Sequence, residues 1–185
     1  MKIAIISGSP RLKSTTKRVA LHLLALLRKD TNHEVELIDL SSWVISPVEK
    51  VITSVEDAPA EMRPLAEAMF SADAFIIVTP EYNGSYSPSM QIIFDHFPKQ
   101  HHKVFGLVTA SPGVLGGVRA AMQLQQFVLA LFGIASPYML ITPQVDKKFN
   151  NDGVLIDETF GKSVDLFIKE FLWLSERVVA HEIEV

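Results

Sequence analysis

Residues 2–16 have the sequence KIAIISGSPRLKSTT, in which an apolar run ends in a turn rich in hydroxyl groups. The run Lys2–Ser7 consists largely of β-branched residues and stops at Gly8, as expected of a buried strand. The segment Ser14–Lys29 that follows has apolar residues at helical spacing, at Val19, Leu23, Leu26 and Leu27. The chain therefore begins with a strand, a loop and a helix, the repeating unit of α/β folds.

The same alternation continues to the end of the sequence. Further strands are predicted at Glu34–Leu40, Ala74–Thr79, Val104–Thr109 and Ile134–Thr142. Helices are predicted from Asp57 to about Phe70, from Ser87 to Pro98, from Gly116 to about Phe132, and from about Asp157 onward. Ser41–Ala58 is predicted to be a loop, and we assign it no role. Phe127, Phe132 and the aromatic residues of the last helix are expected to lie in the core.

Five strands alternating with five helices predict a parallel sheet with helices on both faces. The length of 185 residues fits one domain, residues 1–185. Of the common doubly wound strand orders, 2-1-3-4-5 makes strands 1, 3 and 4 neighbours. Ligands of such sheets bind beyond the carboxyl ends of the strands, where the winding reverses. The loops after these three strands should then share one crevice.

Composition excludes several classes of function. The formal charge is −4 and no basic patch stands out, so no nucleic-acid partner is expected. The sequence has no cysteine, which excludes disulfides, thiolate metal sites and Fe–S clusters. His101 and His102 are adjacent and lack a supporting carboxylate cluster, so no metal site is expected. No apolar run reaches the ~20 residues of a membrane span. We expect a cytoplasmic protein.

The loop after strand 1, Gly8–Thr16, has the residues of a phosphate site. Hydroxyl groups and one arginine precede the N-terminus of a helix, whose free N–H groups attract anions. The candidate ligands are Ser9, Arg11, Ser14, Thr15 and Thr16. The loop is not a Walker A motif, because Lys13 and Ser14 stand where that motif needs Gly and Lys. It also lacks the glycines of a Rossmann fingerprint. The alternative is an ordinary capped helix with a solvated arginine.

The loops after strands 3 and 4 have the residues of a ring-binding site. The first contributes Pro80, Glu81, Tyr82, Asn83, Gly84 and Ser85, which offer an aromatic edge and backbone donors. The second contributes Ser111, Gly113, Gly116 and Gly117, where glycines allow close approach of the backbone to a ligand. The alternatives are a common Asn-Gly turn and a flexible connector.

These motifs resemble those of the NADPH-dependent FMN reductase family, which includes quinone, chromate and azo-dye reductases. The family pattern Gly-Ser-x-Arg-x-x-Ser-x-(Asn/Thr) is matched from Gly8 to Thr16, and Pro-Glu-Tyr-Asn is matched at 80–83. The pattern Ser-x-Gly-x-x-Gly-Gly-x-Arg is matched from Ser111 to Arg119. Departures are Thr16 in place of the commoner Asn, and Gln91-Ile92 where relatives often have Lys-Asn. The segment Ser41–Ala58 matches little.

The resemblance implies a flavodoxin-like fold with strand order 2-1-3-4-5 and a bound FMN. The residues of the three loops would bind FMN, and no side chain would be an essential catalyst. NADPH would supply hydride, and a quinone, a free flavin or a similar small molecule would accept it. A homodimer or homotetramer is expected. The alternative is a flavodoxin-like electron carrier or flavin sensor, which would oxidise NAD(P)H only slowly.

Overall fold

A twisted parallel sheet lies at the centre of the protein. The structure, a computed structural model, describes residues 1–44 and 46–181. The strands are β1 (Lys2–Ser7), β2 (Glu34–Asp39), β3 (Ala74–Thr79), β4 (Val104–Ser111), β5 (Ile134–Ala135) and β6 (Leu140–Pro143). Their order is β2-β1-β3-β4-β5, and β6 also pairs with β4. The predicted doubly wound order 2-1-3-4-5 is confirmed.

The helices cover both faces of the sheet. They are α1 (Thr16–Asp30), α2 (Arg63–Ser71), α3 (Pro88–Asp95), α4 (Val118–Ala130), α5 (Val145–Lys148) and α6 (Gly161–Ala180). Short 3-10 turns occupy Leu40–Ser42, Ala60–Met62 and Glu158–Phe160. One core cluster packs α1 and α6 on the sheet, and the other packs α2, α3 and α4 on the opposite face. Neighbouring residues such as Phe75 and Ile76 therefore belong to different clusters.

The predicted last strand, Ile134–Thr142, is two strands. β5 pairs with Val104 and Phe105, and β6 pairs with the carboxyl end of β4. Pro137 lies between them and has no N–H to donate to a ladder, so the pairing is interrupted there. Ser136 N donates to Phe105 O at 2.8 Å, which keeps the connecting chain on β4.

Several helix boundaries differ from those predicted. Helical structure begins only after Pro59, because the Asp57 carboxylate accepts a hydrogen bond from the Thr53 hydroxyl (2.5 Å) and does not cap a helix. α3 ends at Asp95, before Pro98, whereas the predicted cap at Ser87 is confirmed. α5 was not predicted. Phe127 is in the core as expected, and so are Phe167 and Phe171 of the last helix. Phe132 (58% exposed) and Trp173 (49%) are not core residues.

The segment predicted to be a loop, 41–58, has irregular structure after the turn Leu40–Ser42; its Ile45 lies outside the described residues. His96 holds part of this segment in place. Its Nε2 lies 2.9 Å from Ser46 O, and its own carbonyl accepts a hydrogen bond from Ile52 N at 2.7 Å. No helix among residues 1–44 and 46–181 is long and apolar enough to cross a membrane.

Candidate functional site

The loops after β1, β3 and β4, which we call loops 1, 2 and 3, meet at the carboxyl edge of the sheet. Together they line a cavity of about 220 Å³, which we call the central cavity. Its lining residues are Ser9, Arg11, Lys13, Ser14, Thr15, Thr16, Pro80, Glu81, Tyr82, Ala110, Ser111 and Pro112. The shared crevice expected from the strand order is therefore present.

The start of loop 1 is fixed by its neighbours. Gly8 N donates to Val78 O at 2.8 Å, and the Ser87 hydroxyl, which caps α3, donates to Gly8 O. A Cβ added at Gly8 would lie 2.3 Å from Met90 Cε, so a larger residue does not fit without a shift. Loop 1 thus leaves the sheet in a position set by β3 and α3.

The N-terminus of α1 has the donors of an anion site. Thr15 stands at the cap position but makes no side-chain capping bond, and the first turn has no acidic residue. The Arg11 guanidinium lies 4.6 Å from the centre of the Tyr82 ring, and no carboxylate of the described residues pairs with it. Free N–H groups, hydroxyls and an unpaired arginine are the donors that a phosphate requires. The phosphate of FMN fits this donor set.

Loop 2 contains a tight turn that presents Tyr82. Tyr82 and Ser85 exchange backbone hydrogen bonds of 2.8 and 3.1 Å. Asn83 and Gly84 between them have φ of 52° and 84°, the left-handed conformation of a type I′ turn. The Tyr82 hydroxyl lies 3.5 Å from Ser9 Oγ, so the turn touches loop 1. The turn predicted from Asn-Gly is present and directs its aromatic residue toward the cavity.

The Glu81 carboxylate binds the N-terminus of α4. It accepts hydrogen bonds from Arg119 Nε at 2.7 Å and from Arg119 N at 3.2 Å, and Arg119 Nη2 lies 2.5 Å away. The cap residue of α4, Gly117, has no side chain to do this. Glu81 therefore connects loop 2 to loop 3, and its charge is already compensated by a helix N-terminus and a guanidinium.

The glycines of loop 3 differ in what surrounds them. Gly116 has φ of 63°, and a Cβ there would lie 2.7 Å from Pro143 N. Gly117 has φ of 88°, and a Cβ there would lie 2.9 Å from Thr109 Cβ. A Cβ at Gly113 would meet only Ser111 Oγ, at 3.4 Å. Contacts within the protein thus account for glycine at 116 and 117, a reason that the sequence did not reveal.

The structure brings the predicted residues of loop 1 together with Pro80, Glu81, Tyr82 and Ser111 around the central cavity. Asn83 and Ser85 instead line an adjoining hollow of about 450 Å³, next to Tyr86 and Gln91. Neither the central cavity nor the adjoining hollow is lined by the four glycines Gly84, Gly113, Gly116 and Gly117. Contact of these glycines with a ligand stays a prediction. Sequence reasoning missed Lys13, Ala110 and Pro112. Their position directly beside motif residues was the available signal.

One tyrosine of the adjoining hollow has a shifted pKa. Burial, together with the charge of Asp95, raises the pKa of Tyr86 above its ordinary value. Its hydroxyl donates to Gln91 Oε1 at 2.5 Å, so it remains a neutral donor. In the described part of the chain, no group of three or more His, Asp or Glu is arranged to hold a metal ion.

Comparison with known families agrees with this geometry. The profile of the family described as NADPH-dependent FMN reductase matches residues 1–144. The chain belongs to this family. The family is FMN-dependent and NADPH-dependent, and its members are oxidoreductases. This protein is therefore a flavoenzyme.

Individual relatives support the same assignment. An FMN-dependent NADPH-azoreductase of Staphylococcus aureus (strain USA300) is 30% identical over 178 residues, which cover 93% of this chain and 94% of the relative. The FerB flavoenzyme NAD(P)H:(acceptor) oxidoreductase from Paracoccus denitrificans has a similar structure, with a TM-score of 0.78, 22% identity, and coverage of 95% of this chain and 97% of FerB. A flavodoxin mutant from Pseudomonas aeruginosa has a TM-score of 0.51, 20% identity, and coverage of 97% and 98%. The flavodoxin-like fold is confirmed.

Proposed function

We propose that the protein binds FMN in the central cavity and catalyses electron transfer from NADPH to a small acceptor such as a quinone, a free flavin or an azo compound. One observation carries this proposal. The N-terminus of α1 is uncapped, unpaired Arg11 lies beside it, and both line the same cavity as Tyr82. Bound FMN would supply the redox chemistry, by accepting hydride and passing electrons on.

The residues of loop 1 would bind the phosphate. Arg11 can form a bidentate ion pair, and Ser9, Ser14 and Thr16 supply hydroxyl donors around the helix N-terminus. To do so, Arg11 would leave the Tyr82 ring by a side-chain rotation, which would cost only a cation–π contact at an exposed position. The phosphate would thereby fix one end of the cofactor.

Loops 2 and 3 would position the flavin ring. The type I′ turn and the ion pair between Glu81 and Arg119 hold the backbone of both loops in place before a ligand binds. Fixed N–H groups can stabilise negative charge without reorganisation. None of the three loops contains a histidine beside a hydroxyl group, so nucleophilic catalysis has no candidate residues here.

We also propose a cytoplasmic homodimer or homotetramer. The absence of cysteine agrees with a reducing compartment. The outer face of α4 exposes Met122 (49%) and Leu129 (69%), and Phe132 lies just beyond it. Apolar side chains clustered in this way on a surface are typical of a subunit interface.

Two measurements on the purified protein test the enzymatic proposal. Flavin absorption bands that remain after gel filtration are expected, as is rapid NADPH oxidation when a quinone is added. A protein that retains FMN but oxidises NADPH slowly with every acceptor would instead be an electron carrier or sensor. A protein that does not bind added FMN would contradict the proposal altogether.

Arg11→Ala tests the position of the phosphate. The loss of a charge-assisted hydrogen bond should weaken FMN binding by about 1–3 kcal/mol. Titration of the apoprotein with FMN, followed by fluorescence quenching, measures this change. Arg63→Ala, an exposed arginine at the start of α2, is the matched control and should bind FMN like the wild type. Unchanged FMN affinity in Arg11→Ala would place the phosphate elsewhere.

A further inference from the structure

A second hollow adjoins the central cavity on the outer side of α1. It has a volume of about 600 Å³ and is lined by Leu12, Lys13, Ser14, Lys17, Arg18, Leu21 and Asn151. We call it the basic hollow. Lys13 and Ser14 also line the central cavity, so the two spaces lie side by side. A ligand placed over the cofactor could therefore extend into the basic hollow.

The charge of the basic hollow is positive, although the protein as a whole has a formal charge of −4. No Asp or Glu lies between Gly8 and Lys29 in the sequence, and none is among the described lining residues. Lys17 is compensated by Asp39, whose Oδ2 lies 2.6 Å from its Nζ. No described carboxylate pairs with Lys13 or Arg18. Two uncompensated cations thus face the hollow.

Contacts with the segment after α5 form the far wall of the hollow. Arg18 Nη1 donates to Phe149 O at 2.9 Å, which fixes the guanidinium against the segment after α5. Gly153 of this segment packs so closely on α1 that an added Cβ would lie 2.7 Å from Leu21 Cβ and 2.8 Å from Arg18 O. The Arg18 guanidinium is therefore positioned before any ligand binds, which lowers the entropic cost of binding.

The lining combines two kinds of chemistry. Leu12, which is 85% exposed, and Leu21 provide apolar surface, while Lys13, Arg18 and Asn151 provide cationic and amide donors. An adenine base suits the apolar surface, and a phosphomonoester suits the donors. Arg11 and the α1 N-terminus would already be used by the FMN phosphate, so the basic hollow is a separate anion site.

We infer that the basic hollow binds the adenosine 2′-phosphate of NADPH, and that Lys13 and Arg18 make the protein prefer NADPH over NADH. NADH has a hydroxyl group where NADPH has this phosphate, so only NADPH gains from the two cations. The inference rests on the proposed function, because it assumes that the nicotinamide ring reaches the cofactor in the central cavity.

Lys13→Gln tests this inference, with Lys29→Gln as the matched control. Lys29 is an exposed lysine near the C-terminus of α1 and does not line the hollow. The ratio of kcat/KM for NADPH to that for NADH should fall about tenfold in Lys13→Gln, the size of one lost charge-assisted bond. The ratio should not change in Lys29→Gln. An unchanged ratio in Lys13→Gln would overturn the inference.

A binding measurement gives a readout independent of turnover. Calorimetry on the FMN-loaded protein should show that adenosine 2′,5′-bisphosphate binds more tightly than 5′-AMP, and that Lys13→Gln removes most of this difference. Equal affinities of the two nucleotides in the wild type would overturn the inference. So would displacement of the bisphosphate by excess free FMN, since the hollow would then hold the phosphate of an acceptor flavin. Failure to load FMN at all would instead contradict the proposed function.

Discussion

The Glu81 side chain connects two of the three loops that form the central cavity. Its side chain is 10% exposed, and its carboxylate serves as the missing cap of α4 while pairing with Arg119. A carboxylate at a helix N-terminus stabilises the helix through the free N–H groups and the helix dipole. These contacts favour a positioning role for Glu81 over a role as a general base.

Glu81→Gln separates these roles, because it retains the shape of the side chain and removes the charge. We expect the free energy of unfolding to fall by about 1–2 kcal/mol, the range of a lost cap and a partly exposed ion pair. The turnover rate with FMN bound should fall by only a modest factor. Urea unfolding and steady-state kinetics measure the two effects.

The kinetic outcome also tests the expectation that no side chain is an essential catalyst. A rate lowered by more than about a thousandfold with FMN still bound is the scale of a lost catalytic group, and would show that Glu81 takes part in the chemistry. Arg119→Lys is a useful companion variant, since it retains the ion pair but loses the two guanidinium nitrogens that contact Glu81 Oε1. It should resemble the wild type in rate and fall between wild type and Glu81→Gln in stability.

At the scale of the elements, loop 3 depends on its packing against β6. Gly116 lies so close to Pro143 that Gly116→Ala should lower the free energy of unfolding by roughly 1–3 kcal/mol, through left-handed strain and a steric clash. Gly113→Ala has space around it and should change stability by less than about 0.5 kcal/mol. Thermal or urea unfolding of the two variants compares them directly. Equal stability of both would contradict the described packing.

This difference decides which variant tests contact between loop 3 and the flavin. A valine at 116 would disturb the protein itself, so a loss of FMN would be ambiguous. Gly113→Val adds its side chain where only Ser111 Oγ is near. Weaker FMN binding in this variant, with unchanged unfolding, would support a ring contact. Normal binding would remove Gly113 from the site.

The contact between α1 and the segment after α5 should make stability depend on pH. His22 Nδ1 lies 3.0 Å from Gly153 O, and burial lowers the pKa of His22 below its ordinary value, although the Gly153 carbonyl and the charge of Asp165 oppose this. The unfolded chain then binds a proton more readily than the folded protein. Neutral His22 therefore makes its full contribution to folding stability above a pH of about 6.5, and this contribution is lost as the pH falls below that value.

Urea unfolding at pH 7.5 and 5.5 measures this dependence, and His22→Gln should show a smaller difference between the two values than the wild type. His101→Gln is the control, because it removes an imidazole from an exposed position, where His101 stacks on Phe132. It should show the same difference in stability between the two pH values as the wild type. If His22→Gln and the wild type lose the same stability at pH 5.5, then His22 does not cause the loss.

At the scale of the whole molecule, the exposed apolar face of α4 bears on assembly. Sedimentation at micromolar concentration should show a dimer or a tetramer. Leu129→Lys should shift it toward the monomer, because a buried lysine would lose its hydration. Ile156→Lys, at a residue that is 57% exposed after α5, should leave the assembly unchanged. A monomeric wild type would contradict the proposed oligomer.

The sequence by itself determined the parallel sheet and the three loops of the candidate site, and its resemblance to a known family implied the strand order. β1 and β3 have the predicted bounds, because runs of β-branched residues end there at Gly8 and Pro80. Loop 1 and the Asn-Gly turn were recognisable for a similar reason, since turn geometry and helix termini depend on residues that are neighbours in sequence. Such local patterns also indicate which residues are buried.

Only the tertiary structure decided which partners those residues meet. Glu81 and Arg119 are 38 positions apart, and His22 and Gly153 are 131 apart. The split between β5 and β6, the contact of Gly116 with Pro143, and the basic hollow beside α1 likewise join distant segments. The physical reason is that a local pattern fixes the type of an element and the face it buries, whereas its contacts depend on how the other elements pack against that face.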